Sequence, residues 1–296
     1  MNAQASTLID DPSYTMGTVT SKDGTKIGYR RTGQGPGIVL VQGAMGTAYN
    51  YQQLAADLAN EFTVYVPDRR GRGMSPREYG TGHSIQNDVD DLDSMLTHAG
   101  AHFVFGLSSG AIITLEASRL LPSIHRAAIY EPPFYLEGVP VDKITRVYGE
   151  IARGDLASAL VTVGSIVKLG PAFLSFIPRP LLKLVIARVL RNEQKNGTGK
   201  YAPLRELIPA MRYDFKVVLD RGGRVELFEA VKPEILLLGG TKSPAYLKNA
   251  LAALERTLPK ARRTEFTGLD HSAAWNVDRG GAPGQVAQSL RQFFTK

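Results

Sequence analysis

Five residues, Gly106-Leu107-Ser108-Ser109-Gly110, place a hydroxyl between two glycines where the apolar run HFVFG (102–106) gives way to the helical pattern AIITLEASRLL. A strand feeding a helix through G-x-S-x-G is the nucleophile-elbow pattern, and only one register puts a serine at its centre, Ser108. The turn is sharp, so glycines flank it where a Cβ would strike the neighbouring strand and helix. The hydroxyl then projects from the carboxyl edge of a sheet, and the backbone N–H of Ser109 at the helix start is free to face a developing oxyanion. Ser109 thus contributes its amide. The blander alternative is a glycine-rich turn with a capping serine, and the position after a fifth predicted strand argues against it.

A serine hydroxyl is a poor nucleophile at neutral pH and needs a base within hydrogen-bond reach. Of the five histidines, His83, His98, His102 and His125 fall beside elements on the amino-terminal side of the pattern. His271 lies in TGLDHSAAWN, after the last predicted strand. In a parallel sheet that loop emerges on the same edge as the elbow, which makes His271 the candidate base.

The elements that must position these groups follow from hydrophobic periodicity. MGTVTSKDGTKIGYRRTG gives two short β-rich runs around Asp23-Gly24, a hairpin signal. GIVLVQG (37–43), FTVYVPD (62–68), HFVFG (102–106), RAAIYE (126–131), EILLLGG (234–240) and RRTEFTG (262–268) read as strands, separated by helical patterns. Such alternation implies an α/β fold: a mostly parallel eight-stranded sheet with helices on both faces. From Phe134 to Arg212 no strand is evident, and helical stretches there are broken by Pro and Gly. The predicted organisation is a flexible segment over 1–15, a core over 16–133 and 213–296, and a helical cap over 134–212.

Composition narrows the classes. The chain of 296 residues is 43% hydrophobic and 21% charged, as for an ordinary globular protein. The formal charge of +7 is concentrated in 134–212, where 12 Lys/Arg face 6 Asp/Glu interleaved with Leu, Ile and Val, a pattern unlike a nucleic-acid surface. Zero cysteines exclude disulfides, thiolate catalysis and Cys-based metal sites, and favour a cytoplasmic location. The first fifteen residues lack a signal-peptide pattern, and no apolar stretch is long enough to form an integral membrane segment.

Over about residues 16–295 the chain resembles the α/β-hydrolase superfamily. The resemblance rests on VLVQGAMG after the third strand, VPDRRGRGMS after the fourth, FGLSSG after the fifth and GLDHSAAW after the eighth. It implies a Ser/acid/His triad in that chain order and a cap inserted after the sixth strand. It also implies a second oxyanion donor after the third strand, the N–H of Ala44 or, as second choice, of Gly43. Asp68, Gly71, Gly73 and Ser75 match a loop of mainly architectural role.

Two departures stand out. Gln42-Gly43 replaces the family's frequent His-Gly, which leaves a backbone donor intact but alters loop support or substrate polarity. The loop after the seventh strand, LLGGTKSPAYL, has Lys242 where an acid is usual, and lysine cannot accept an imidazole N–H. The resemblance offers an alternative, because haloalkane dehalogenases and some fungal lactonases place the acid after the sixth strand. Glu131, 23 residues beyond Ser108, is the candidate there. Asp220 is the reserve, and Asp270 adjoins His271 too closely to pair with it readily.

These parts predict a serine hydrolase acting on an apolar carboxylic ester or lactone, with no cofactor and no metal required. The apolar cap sequence LVTVGSIVKLGPAFLSFIPRPLLKLVIARVL is expected to line the pocket, although PLLKLVIARVLR also reads as a basic amphipathic surface helix. Two alternatives stay open: non-hydrolytic chemistry such as C–C bond cleavage or a lyase reaction, and a receptor-like binding protein with a degraded triad. The oligomeric state stays open, a homodimer included.

Overall fold

The computed structural model describes residues 14–168 and 176–295. Eight strands form one sheet: β1 (Thr15–Thr20), β2 (Lys26–Thr32), β3 (Gly37–Val41), β4 (Thr63–Pro67), β5 (Phe103–Leu107), β6 (Arg126–Tyr130), β7 (Glu234–Gly240) and β8 (Ala261–Phe266). Their spatial order is β1-β2-β4-β3-β5-β6-β7-β8. The β1–β2 hairpin is antiparallel, β2 lies antiparallel to β4, and all remaining neighbours are parallel. The expected α/β architecture is therefore present, with strand ends within two residues of those read from the sequence.

Buried apolar runs explain the parallel strands. Ile38, Leu40, Val64 and Val66 point to one face with Phe105 and Leu107, whereas Val39, Val41 and Val104 point to the other. Helices α1 (Gln52–Leu58) and α9 (Pro283–Phe294) cover the first face through Leu54, Leu58, Val286 and Leu290. Helices α2 (Ile85–Ala99), α3 (Ser109–Leu120) and α8 (Ala245–Thr257) cover the second through Val89, Ile112 and Leu251. Both faces are thus removed from water, as continuous apolar strands require. From β3 the chain crosses to β4 on one side and then returns to β5 on the other, so the loops leaving β3 and β5 diverge at a crevice.

Between β6 and β7 the described residues form four α-helices, α4 (Val141–Ala152), α5 (Leu156–Val167), α6 (Arg179–Asn196) and α7 (Leu204–Arg221). The sequence boundary at 212/213 falls inside α7. That helix runs unbroken through Pro209 and packs on α3 as well as on α4 and α5, so it belongs to both layers. The expected flexible segment lies outside the described residues except for Tyr14 and Thr15, and Thr15 already begins β1. The apolar residues of α6 divide: Leu181, Leu184, Val185 and Val189 face outward, Leu190 is buried, and Ile186 and Ala187 are half-buried against the core cluster.

Candidate active site

Ser108 sits between β5 and α3 with φ 58° and ψ −125°, a conformation costly for a residue with a side chain. Its glycines are required by space. A Cβ on Gly106 would lie 2.4 Å from Thr114 Oγ1, and one on Gly110 would lie 2.4 Å from the Gln42 carbonyl. Helix α3 can therefore start directly against β3, and the Ser108 N–H stays bound to the Tyr130 carbonyl at 2.9 Å.

Four non-glycine residues among those described have positive φ: Met45, Ser108, Glu131 and Lys168. Ser108 and Glu131 are the first residues beyond β5 and β6, and Met45 is the fourth beyond β3. Strain of about 1–3 kcal/mol at each persists only where the surroundings impose it, and its clustering on one sheet edge marks a functional rim.

Glu131 is fully buried and is the first residue beyond β6. Its Oε1 accepts the Gly240 N–H at 2.7 Å, and its Oε2 lies 2.8 Å from His271 Nδ1. A carboxylate can only accept, so this contact makes Nδ1 the protonated nitrogen and leaves Nε2 basic. One residue earlier on each segment, the Tyr130 hydroxyl donates to the Asp270 carbonyl at 2.8 Å. Two adjacent cross-links thereby fix the His271 loop to the end of β6. His271 and Ser108 are both half-buried. Among the described residues the Ser108 hydroxyl makes no hydrogen bond, to His271 or to any other group.

The amides of Ala44 and Ser109 donate no hydrogen bond among the described residues. Gly43 crowds the elbow, since a Cβ there would stand 2.7 Å from Ser108 Cβ. The loop that carries Ala44 therefore touches the elbow through Gly43, and Ser109 follows Ser108 at the start of α3.

The other expectations resolve individually. Asp220 accepts the Ile85 N–H at 3.0 Å and pairs with Lys216 at 2.7 Å, so the reserve acid is committed to the start of α2. Asp270 turns to the amide and hydroxyl of Ser272. Lys242 is exposed. Gln42 is buried and donates to the Pro67 carbonyl at 2.7 Å, so it supports the loop and does not face substrate. Asp68 accepts the N–H groups of Ala48 and Met74, and Ser75 donates to its carbonyl, in keeping with an architectural role.

Sequence reasoning missed the support beneath the rim. Asp214, on α7, accepts from Ser109 Oγ at 2.7 Å, Arg69 at 2.5 Å and Arg72 at 2.8 Å. Arg72 also donates to the carbonyls of Gly43 and Gly46 at 3.1 and 3.3 Å, and Arg69 pairs with Asp88 at 3.1 Å. One carboxylate therefore braces the loop after β3, through Arg72, and the start of α3, through Ser109. Burial pushes the Asp214 carboxyl up, but the Arg72 and Arg69 guanidiniums outweigh it and hold the group below the ordinary carboxylate range. The signal was faint: three arginines in DRRGRG, and an aspartate 145 positions from the first of them.

A cleft of about 940 Å³ opens between the loop after β4 and residues 200–206, lined by Arg30, Tyr49, Met74, Lys200 and Tyr201. Neither Ser108 nor His271 lines it, so the chemistry of the rim locates the site better than cavity size does. Among the described residues no group of three or more His, Asp or Glu side chains could hold a metal ion.

A family model for the alpha/beta hydrolase family matches residues 38–288. The crystal structure of an alpha/beta hydrolase from Sphaerobacter thermophilus is 30% identical with a TM-score of 0.76, covering 94% of this chain and 100% of that one. YraK, an uncharacterized hydrolase of Bacillus subtilis, is 37% identical over 114 residues, 37% of this chain and 42% of YraK, so the match spans less than half of that relative. The enol-lactonase of Burkholderia xenovorans shares the fold at a TM-score of 0.67 and 18% identity, with 95% and 100% of the two chains covered.

Proposed function

Because this chain belongs to the alpha/beta hydrolase family, we propose that it is a serine hydrolase that cleaves an apolar carboxylic ester or lactone, with Ser108 as nucleophile, His271 as base and Glu131 as the acid that orients it. The observation that carries this reading is the 2.8 Å contact between His271 Nδ1 and the fully buried Glu131, on the rim that also bears the strained Ser108. A carboxylate so placed fixes the imidazole tautomer and stabilises the imidazolium that forms when Nε2 takes a proton.

In the acylation step Ser108 Oγ bonds to the carbonyl carbon as its proton passes to His271 Nε2. The carbonyl electron pair moves onto oxygen, where the amides of Ala44 and Ser109 receive it, each donor contributing about 3 kcal/mol in the transition state. Collapse expels the alcohol, which takes the proton from His271; in a lactone this alcohol stays tethered to the acyl group. Water, deprotonated by His271, then releases the acid and restores Ser108. An apolar substrate suits the loop after β3, where Ala44 and Met45 are half-buried against the apolar cluster. The contact of Glu131 with His271 despite Lys242, and of Gln42 with Pro67, supports turnover over the receptor-like alternative.

The test is covalent. A fluorophosphonate is expected to label the wild-type protein stoichiometrically and Ser108→Ala not at all, while aryl esters and lactones are turned over by the former only. Failure of the folded wild-type protein to label would sink the proposal.

A further inference from the structure

Helix α6 carries a surface that the proposed chemistry does not use. Its buried side is thin, since Leu190 alone is fully enclosed. On the opposite side Leu181, Leu184, Val185 and Val189 are 52, 66, 54 and 44% exposed, with spacings of three, four and eight residues from Leu181 that set them on one stripe. Large aliphatic side chains so exposed and contiguous mark an interaction surface.

The charges around the stripe select the partner. Arg188 lies within it, and Arg191 and Lys195 continue the same exposed side toward the helix end. The one acid of α6, Glu193, is turned to the Leu204 N–H at 3.0 Å. Arg179 and Lys183 pair with Glu150 and Asp155 of the neighbouring helices. The outward face therefore presents aliphatic groups and three cations with no acid among them. A second copy docked through this face around a two-fold axis would set these cations against their own counterparts. An anionic lipid surface offers opposite charge and an apolar layer beneath it, the two things an interfacial helix needs.

We infer that α6 is a peripheral membrane-docking face that rests the cap on anionic lipid, with Leu181, Leu184, Val185 and Val189 entering the headgroup boundary and Arg188, Arg191 and Lys195 meeting lipid phosphates. No helix of the described residues is long and apolar enough to cross a membrane, so the attachment is reversible and lies in the interface plane.

Cosedimentation of the full chain with vesicles tests this without any catalytic readout, so its failure is separate from failure of the proposed reaction. The wild-type protein is expected to sediment with vesicles of equal parts phosphatidylcholine and phosphatidylglycerol, to bind phosphatidylcholine alone far more weakly, and to dissociate as salt rises. Leu184→Glu should abolish sedimentation, and Arg188→Gln with Arg191→Gln should weaken it about fivefold per cation removed. These positions are exposed, so the thermal unfolding of each variant should match wild type. Absent or variant-insensitive binding to the anionic vesicles overturns the inference. So does a wild-type dimer in light scattering that Leu184→Glu converts to monomer without affecting vesicle binding.

Discussion

Glu131 and Asp214 are both buried carboxylates within a few residues of the elbow's partners, yet their surroundings give them opposite uses. Glu131 holds one amide and one imidazole, a ring that can gain and lose a proton at its far nitrogen. Asp214 holds two guanidiniums and a hydroxyl, none of which titrates near neutral pH. The first arrangement can follow charge as it develops; the second is fixed and can only keep loops in place. Both are buried carboxylates, so the partner decides the role.

Four measurements would break or sharpen that contrast. The largest effect is expected from Glu131→Gln, which preserves shape but removes the charge and leaves one acceptor oxygen for both the Gly240 N–H and the imidazole: turnover of an aryl ester should fall about 10³- to 10⁴-fold with little change in KM. A fully active variant would remove Glu131 from the triad. Asp214→Asn should act on the fold first, leaving Arg69 and Arg72 buried without their shared counter-ion at a cost of about 3–5 kcal/mol, read from urea unfolding. Its residual activity should drop through kcat, because the loop after β3 and the start of α3 lose their brace.

A smaller effect concerns acid. Asp214 and Asp88, each lowered despite burial by the adjacent arginines, bind protons less readily folded than unfolded. Their stabilisation is complete above the unfolded carboxylate value near 3.9 and is lost as pH falls through the depressed folded values. The urea midpoint should hold steady from neutrality to about pH 5 and decline below it, and Asp214→Asn should flatten that decline. The smallest effect is expected from Asp220→Asn, which weakens one acceptor at the start of α2 by about 1 kcal/mol and leaves ester turnover unchanged. A large loss of turnover there would return Asp220 to contention.

How much of this was legible before the coordinates differs by region. The α/β alternation and the hairpin were readable because buried parallel strands and amphipathic helices impose periods of their own on a chain. The cap was readable as an interruption, but its limit was not: α7 carries Tyr213, Phe215 and Val218 into the core beyond the expected boundary, and helical spacing does not change when a helix passes from one layer to another. The apolar content of α6 suggested a pocket lining, whereas the structure turns Leu181, Leu184, Val185 and Val189 outward, since periodicity defines a stripe but not its direction.

The sharp turn at Ser108 was determined by the sequence alone, because such a turn needs its glycines within two positions and local sterics are written locally. His271 followed from chain order and the shared edge of a parallel sheet. The acid was another matter: Glu131, Asp220 and Asp270 were each admissible on paper, and only the tertiary structure paired Glu131 with the imidazole while turning Asp220 to Ile85 and Asp270 to Ser272. The Asp214 brace likewise joins α7 to loops more than a hundred residues away, with no local pattern to announce it. Contacts between neighbours along the chain leave a signature in spacing; contacts made by packing depend on where whole elements come to rest.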